Sequence, residues 1–531
     1  MDSEKKSRIA KELFSGLMGG TISLTLSAII VKLIGLFYKI PIAALLGDEG
    51  MGYFNTAYTV YAFFYLISSA GVPKAVMILV SEAKARGLKG EERRILRVAS
   101  VLFGIVGALM TIILFIFASP LASLIGNAKS YLTMLSIAPS IVFVSLSGVI
   151  RGYLSANSRL GDIAVSQIIE GVGKLGLGLL LAMIGVRLRL PLSSLSALTV
   201  LGVSFGAIFG FVYLFICLKL QNNGQKAGQS IKFSVTKKIA FRILSISIPI
   251  TVSAAIMSIT NLVDLGLVMR GLVNIGYSEN VANILYGNYT TLAVPMLNLA
   301  MAVISPISIA FLPIFTKCYI TSDNEGKNRA ERNSLELVSL LSAPITLGLI
   351  IYSKEILLLL FPNSEISIGS TLLCLIAPSI LFSSILLIIN TVLEGYGRVK
   401  APLISMLVGG FVKIICGYCL IVYTDMGILG APIGTVLSYA SALITSIIIY
   451  SVCFKKHIPI FESSIIPYLN AFISVSLSRY AFLRLILPCG EKGALIIAIV
   501  LAALIYLAIS ALFGLFSAKK ITELAKYTNL S

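Results

Sequence analysis

The sequence predicts an all-α polytopic membrane protein made of two related halves of six helices each, followed by a C-terminal helix pair. Three observations lead there. Of 531 residues, 57% are hydrophobic and only 12% charged, with a mean hydropathy of +0.97, which does not describe a soluble surface. Apolar runs of about 20 residues or more recur along the whole chain, each long enough to cross about 30 Å of hydrocarbon as a helix, and they lack the alternation of barrel strands. Finally, residues 137–178 (IAPSIVFVSLSGVIRGYLSANSRLGDIAVSQIIEGVGKLGLG) recur without a gap at residues 376–417, 239 positions later, with 14 of 42 pairs identical. Apolar composition alone does not readily give the shared IAPSI, or Arg159 over Arg398, Ser166 over Ser405, Gly171 over Gly410 and Lys174 over Lys413. The chain is an internal repeat.

The runs divide into about fourteen spans: residues 14–46, 51–80, 95–125, 131–156, 161–184, 193–218, 239–268, 281–315, 335–361, 371–396, 401–423, 428–454, 465–487 and 494–516. The first has no small-residue cleavage site after a short apolar core, so it reads as a retained span. By the repeat, residues 1–230 form a first lobe, 231–460 a second, and 461–531 the additional pair with a tail. The formal charge of +19 is mainly a topology signal. If the Lys-rich start (Lys5, Lys6, Arg8, Lys11) is cytoplasmic, the even-numbered connections are too, and these carry most of the Lys and Arg: Lys84 to Arg97, Arg159, Lys226 to Lys238, Lys317 to Arg332, Arg398 with Lys400, and Lys455 with Lys456. Both termini are therefore expected in the cytoplasm of a multi-pass cell-membrane protein. That placement leaves no nucleic-acid role for the charge.

The first span brings Lys32, Gly35 and Lys39 onto one helical face. Charge at that depth turns toward an interior or a watery cavity, although Lys39 can also snorkel to the outer surface. In the second span Tyr58, Tyr61 and Tyr65 share a face, for packing or for recognition, and Lys74 follows Gly71 and Pro73. Pro139 and its echo Pro378 each remove a backbone donor within a span. In the fifth span Glu170 and Lys174 are four apart, a spacing at which opposite charges pair; in the echo Glu170 becomes Gly409 while Lys174 remains Lys413. Nearby Gly171, Gly173, Gly176 and Gly178 permit close helix contact. Asp264, with Asn261 one turn before it, is a carboxylate within the seventh span and a candidate for a coupling cation or proton, or for a structural partner. Arg479 and Arg484 lie in the last helix pair, where they can snorkel or line a lipid groove.

Several chemistries find no support. EGVGKL lacks the first glycine and the hydroxyl residue of a P-loop, and the one histidine, His457, sits in the basic segment Lys455 to His457. The seven cysteines have no framework spacing, and the C-x-x-C of Cys416 and Cys419 lies alone in an apolar run. No catalytic residue, metal or cofactor is expected.

A basic first span ending in PIAALLGDEGMGYF, the following AGVPKAVMILVSE and the repeated halves resemble the polysaccharide transporter branch of the multidrug/oligosaccharidyl-lipid/polysaccharide exporter superfamily, in particular its stage V sporulation protein B-like members. The resemblance implies two six-helix lobes around a central cavity, alternating between inward-open and outward-open states, and an undecaprenyl-pyrophosphate-linked oligosaccharide or peptidoglycan precursor as cargo. Related lipid II flippases carry S-R-x-L-G-F-x-R-D in the first span and use the last two helices as a lipid-tail groove. Here VKLIGLFYK places Lys32 at the first arginine, Tyr38 at the second and Lys39 at the aspartate. The resemblance thus implies a cationic pyrophosphate cavity and a tail groove along the last two helices; Lys32, Lys39 and Lys74, with Lys174 and Lys413 in second rank, are the candidates for the first, Arg479 and Arg484 for the second, and Asp264 with Asn261 stays the coupling-ion candidate. It implies a monomer among membrane lipids, with envelope-synthesis enzymes as possible partners. The competing expectations are a cation-coupled multidrug exporter on the same fold and a membrane glycosyltransferase or polymerase; for the latter, Asp48, Glu49, Glu279 and Glu365 are scattered on short loops.

Overall fold

A computed structural model describes the backbone of residues 2–87, 90–222, 233–398 and 400–513. Within these, side chains are described from residue 34 onward, apart from 36–37, 221–222, 233–235, 253, 256–257 and 487–489. All regular structure among the described residues is helical. Twelve helical segments there are long and apolar enough to cross a membrane. They match twelve of the expected spans; the first and seventh fall in helices whose side chains are only partly described.

Compactness divides the chain at a different point from the repeat. The described residues up to Arg270, with Ser278–Gly287, form one unit, and Gly271–Tyr277 with those from Asn288 onward form another. The first unit contains α1 (Asp2–Ser69), α2 (Val72–Ala85), α3 (Glu91–Ile125), α4 (Tyr131–Ile137), α5 (Ser140–Ala156), α6 (Leu160–Arg187), α7 (Leu192–Asn222), most of α8 (Phe233–Asn274) and nearly all of α9 (Glu279–Asn288). The second contains α10 (Val294–Ile320), α11 (Asn324–Ile351), α12 (Ser353–Leu360), α13 (Ile366–Ile376), α14 (Pro378–Gly395), α15 (Ala401–Val422), α16 (Gly430–Phe454) and α17 (Ile460–Leu512). α1 and α17 are each two spans joined at a sharp bend, at Gly47 (φ 63°) and Gly490 (φ 69°). Both bends need a left-handed backbone, which glycine adopts without a Cβ penalty.

The repeat is visible atom by atom. In each copy the proline of IAPSI interrupts the helix, and the following serine folds back onto the isoleucine carbonyl: Ser140 Oγ donates to Ile137 O and Ser379 Oγ to Ile376 O, both at 2.6 Å. Each copy ends the next helix with the same turn. Arg159 N donates to Leu154 O at 3.0 Å and Arg398 N to Leu393 O at 2.7 Å, across the left-handed Ser158 and Gly397. Ser166 Oγ reaches Ile163 O at 2.7 Å, and Ser405 Oγ reaches Pro402 O at 2.9 Å.

The helix that follows each copy crosses it backbone to backbone. A Cβ on Gly202 of α7 would lie 2.5 Å from Gly178 Cα, and one on Gly434 of α16 would lie 2.8 Å from Gly417 Cα. No side chain fits at either crossing. Further along α7, a Cβ on Gly206 would lie 3.1 Å from Lys174 Cβ, and one on Gly210 would lie 3.2 Å from Glu170 Cβ. The α7 glycines therefore leave the space in which the Glu170 and Lys174 side chains stand. In the second copy the equivalents of Gly206 and Gly210 are Ser438 and Ala442, and it is Gly409 on α15 that makes room: a Cβ there would lie 2.8 Å from Ser438 O.

In the second unit α17 is tied to α11 and α12. Ser339 and Ser464 share a hydrogen bond at 2.8 Å, Tyr506 Oη donates to Leu340 O at 2.9 Å, and Arg479 Nη1 meets Glu355 Oε1 at 2.7 Å. Its most enclosed carboxylate, Glu331, accepts from the hydroxyls of Tyr396 and Tyr450 and from Lys456 Nζ, all at 2.8 Å.

Candidate functional site

Two lysines of the expected cation site, Lys39 and Lys174, come together in the first unit, Lys174 against aromatic rings. Gly178 on α6 lets α1 approach: a Cβ there would lie 2.7 Å from the Tyr38 hydroxyl. One turn back on α6, Lys174 turns its Nζ over two rings, 5.1 Å from the centroid of Tyr38 and 4.7 Å from that of Tyr58. Tyr38 is fully buried, while Tyr58 is 37% exposed, so the ammonium is held at the edge of the packed interior. Phe54 bridges the two tyrosines, at 6.2 Å from Tyr38 and stacked at 6.1 Å on Tyr58. The row continues through Tyr61 and Tyr65 at 5.6 and 5.8 Å. Tyrosines at this spacing act here as both packing and a π surface for a cation.

Lys39, next to Tyr38 on α1, is half-buried and donates to Asn55 Oδ1 at 3.3 Å. Its ammonium and that of Lys174 are close enough to act on each other electrostatically. The two amines therefore share one neighbourhood of the first unit.

The carboxylate expected to pair with Lys174 has another partner. Glu170 Oε2 accepts from Arg151 Nη2 of α5 at 2.7 Å, with the side chains 33% and 16% exposed. Arginine matches a carboxylate better than lysine does, and across the helix pair it takes the position that the four-residue spacing alone would assign to Lys174. Tyr65 lies within electrostatic reach of both charges. Arg151 was readable in the sequence as a charge in the middle of SGVIRGYL, the kind of position that marks a functional or paired group.

The other candidates stand apart from this cluster. The Lys32 side chain lies outside the described residues. Lys74 is exposed at the start of α2. Lys413, half-buried in the second unit, lies near enough to Tyr439 of α16 to act on it electrostatically. Asp264 is half-buried on α8 in the first compact unit, and Asn261 is exposed. Arg479 is engaged with Glu355, whose side chain is 8% exposed, and its guanidinium lies over Tyr352 and Phe482 at 5.3 and 4.9 Å. Arg484 is exposed and donates to the Tyr480 hydroxyl at 3.1 Å. Among the described residues no group of three or more His, Cys, Asp or Glu side chains could hold a metal ion.

Residues 17–319 match the family described as polysaccharide biosynthesis protein, and residues 290–419 match the MatE family. The chain is 23% identical over 487 residues to stage V sporulation protein B of Bacillus subtilis (strain 168), covering 91% of this chain and 89% of that protein. It is 21% identical to the lipid II flippase MurJ of the same strain, covering 83% of each. Among solved structures, a lipid II flippase MurJ in an inward closed conformation superposes with a TM-score of 0.71 at 17% identity, over 93% of this chain and 98% of that one. An inward-facing multidrug resistance MATE family transporter gives 0.62 at 14% identity, over 82% and 98%. The fold is the one these transporters share.

Proposed function

Since the chain belongs to the polysaccharide biosynthesis protein family, we propose that it is a flippase, moving an undecaprenyl-pyrophosphate-linked oligosaccharide or peptidoglycan precursor across the cell membrane by alternating access. A relative named as a lipid II flippase supports that cargo class. The observation that carries the reading is the Lys174 ammonium between the faces of Tyr38 and Tyr58, beside Lys39. Such a cargo has a headgroup that cannot cross hydrocarbon and a tail that cannot leave it. A positive region inside a helical unit offsets the pyrophosphate charge that hydrocarbon would refuse. Lysine suits the task, because its compact ammonium binds phosphate as a point charge without demanding one fixed geometry.

Lys32, Lys74 and Lys413 are further cationic candidates for the cargo pyrophosphate, Asp264 with Asn261 is the candidate coupling site, and Arg479 and Arg484 of α17 are the candidate contacts for the lipid tail. Without a P-loop, net transport draws on the cargo gradient, an ion gradient or the membrane potential. The protein acts as a monomer with both termini in the cytoplasm, and it moves its cargo without converting it.

The test uses the purified protein in vesicles with a fluorescent undecaprenyl-pyrophosphate-linked saccharide. The label should cross chemically unchanged, and Lys174→Gln should slow it about tenfold, the scale of losing a hydrogen bond to a charged group. Full-rate crossing by Lys174→Gln, or chemical conversion of the cargo, would overturn the reading. A cation-coupled multidrug exporter is the second reading, favoured by the MatE match and the MATE-like fold. Efflux of a cationic drug that is lost on Asp264→Asn would establish it, against the basic interior of the first unit.

A further inference from the structure

We propose that Arg151 is a positioning residue that holds Glu170 away from Lys174, leaving the lysine open to an anionic cargo. The proposal rests on the cationic reading of Lys174 given above. Glu170 and Lys174 are four residues apart on α6, where a carboxylate and an ammonium pair by default. In the structure they do not. Glu170 is bound to Arg151 at 2.7 Å, and Lys174 makes no ion pair among the described residues, resting instead on two tyrosine faces. An anionic headgroup meeting a lysine already neutralised by its neighbour would gain little. Arg151 prevents that neutralisation.

The second copy of the repeat makes the same point by omission. Arg151 corresponds to Asn390, Glu170 to Gly409, and Gly210, which stands beside Glu170, to Ala442. The acid, its partner and the space for the acid are all absent, while the lysine is kept as Lys413. The helices still cross in the same way there, with Gly434 against Gly417, and Asn390 Oδ1 simply accepts from Ser446 Oγ at 2.8 Å. The fold of this crossing therefore does not need the ion pair. An acid and the base that occupies it come and go together, which fits a base whose task is the acid.

The same vesicle assay tests the proposal through four variants, each followed also for membrane abundance and unfolding midpoint. R151Q should slow transport about tenfold, chiefly by raising the half-saturating cargo concentration, because the freed Glu170 then pairs with Lys174. R151Q/E170Q should recover to within about twofold of the parent, since it removes the competing charge as well. E170Q alone, whose amide oxygen can still accept from the guanidinium, should keep its rate, and R151K should stay near the parent. R151Q at full rate, no recovery in the double variant, or a tenfold loss in E170Q would each overturn the proposal, and the E170Q arm stands even if R151Q does not accumulate. Lys174→Gln in parallel separates the two levels: if it transports at full rate the cationic reading itself has failed, whereas if it is impaired and R151Q is not, only the role of Arg151 has.

Discussion

α6 of the first unit and α15 of the second are copies of one helix, and they differ in what surrounds their shared lysine. Lys174 stands between two tyrosine rings, with an acid four residues earlier and an arginine holding that acid. Lys413 has glycine at the acid's position and asparagine at the arginine's. The kink, the capping turn and the glycine crossing are the same in both. The backbone geometry is thus the conserved part of the duplication, and the charges are where the copies diverge. A residue shared by both copies is first of all evidence about how a lobe is built; a residue found in one copy is the better guide to what that lobe does.

The comparison can be broken most severely at the crossings. Gly202→Val and Gly434→Val each drive a branched side chain into backbone, at 2.5 Å from Gly178 Cα in one copy and 2.8 Å from Gly417 Cα in the other. Each should cost about 3 kcal/mol or more and lower the unfolding midpoint in detergent to a similar extent. If only one of them matters, the two crossings are not equivalent. A smaller effect sharpens the functional side. Lys413→Gln should slow cargo movement by less than about threefold, against about tenfold for Lys174→Gln, because the acid and arginine set around Lys174 are replaced by Gly409 and Asn390 around Lys413; equal losses would make the lysines a symmetric pair of sites. Smallest of all, Ser140→Ala and Ser379→Ala should each lose about 1 kcal/mol of stability, measured by urea unfolding, with transport per folded molecule unchanged.

Much of this was legible in the chain itself. The spans follow from apolar length, and the bends at Gly47 and Gly490 fall in the gaps that separate the expected spans. The repeat sets Lys174 and Gly178 over Lys413 and Gly417. What could not be read was partner choice. Helical spacing ranks Glu170 with Lys174, but Arg151, 19 residues earlier in sequence, approaches from another helix, and one-dimensional spacing does not weigh contacts within a helix against contacts between helices. Glu331 is a second instance: its three donors come from the end of α14, from α16 and from the segment before α17. The packing of Arg479 on Glu355 was hidden for the same reason; of its aromatic neighbours, Phe482 is three residues on along α17, but Tyr352 comes from the junction of α11 and α12.

Gly210 bears on how the two copies came to differ. A methyl group at that position would sit 3.2 Å from Glu170 Cβ and 3.4 Å from its carboxylate oxygen, so alanine there, as in the other copy, crowds the acid. Starting from a common ancestor with alanine, an acid gained first would enter an occupied space, whereas a glycine gained first would cost little and leave the space vacant. The favoured order of change is glycine, then the acid together with its arginine. From that starting point, the charge difference at this crossing depends on the loss of one methyl group on a neighbouring helix, a change with no charge in it at all.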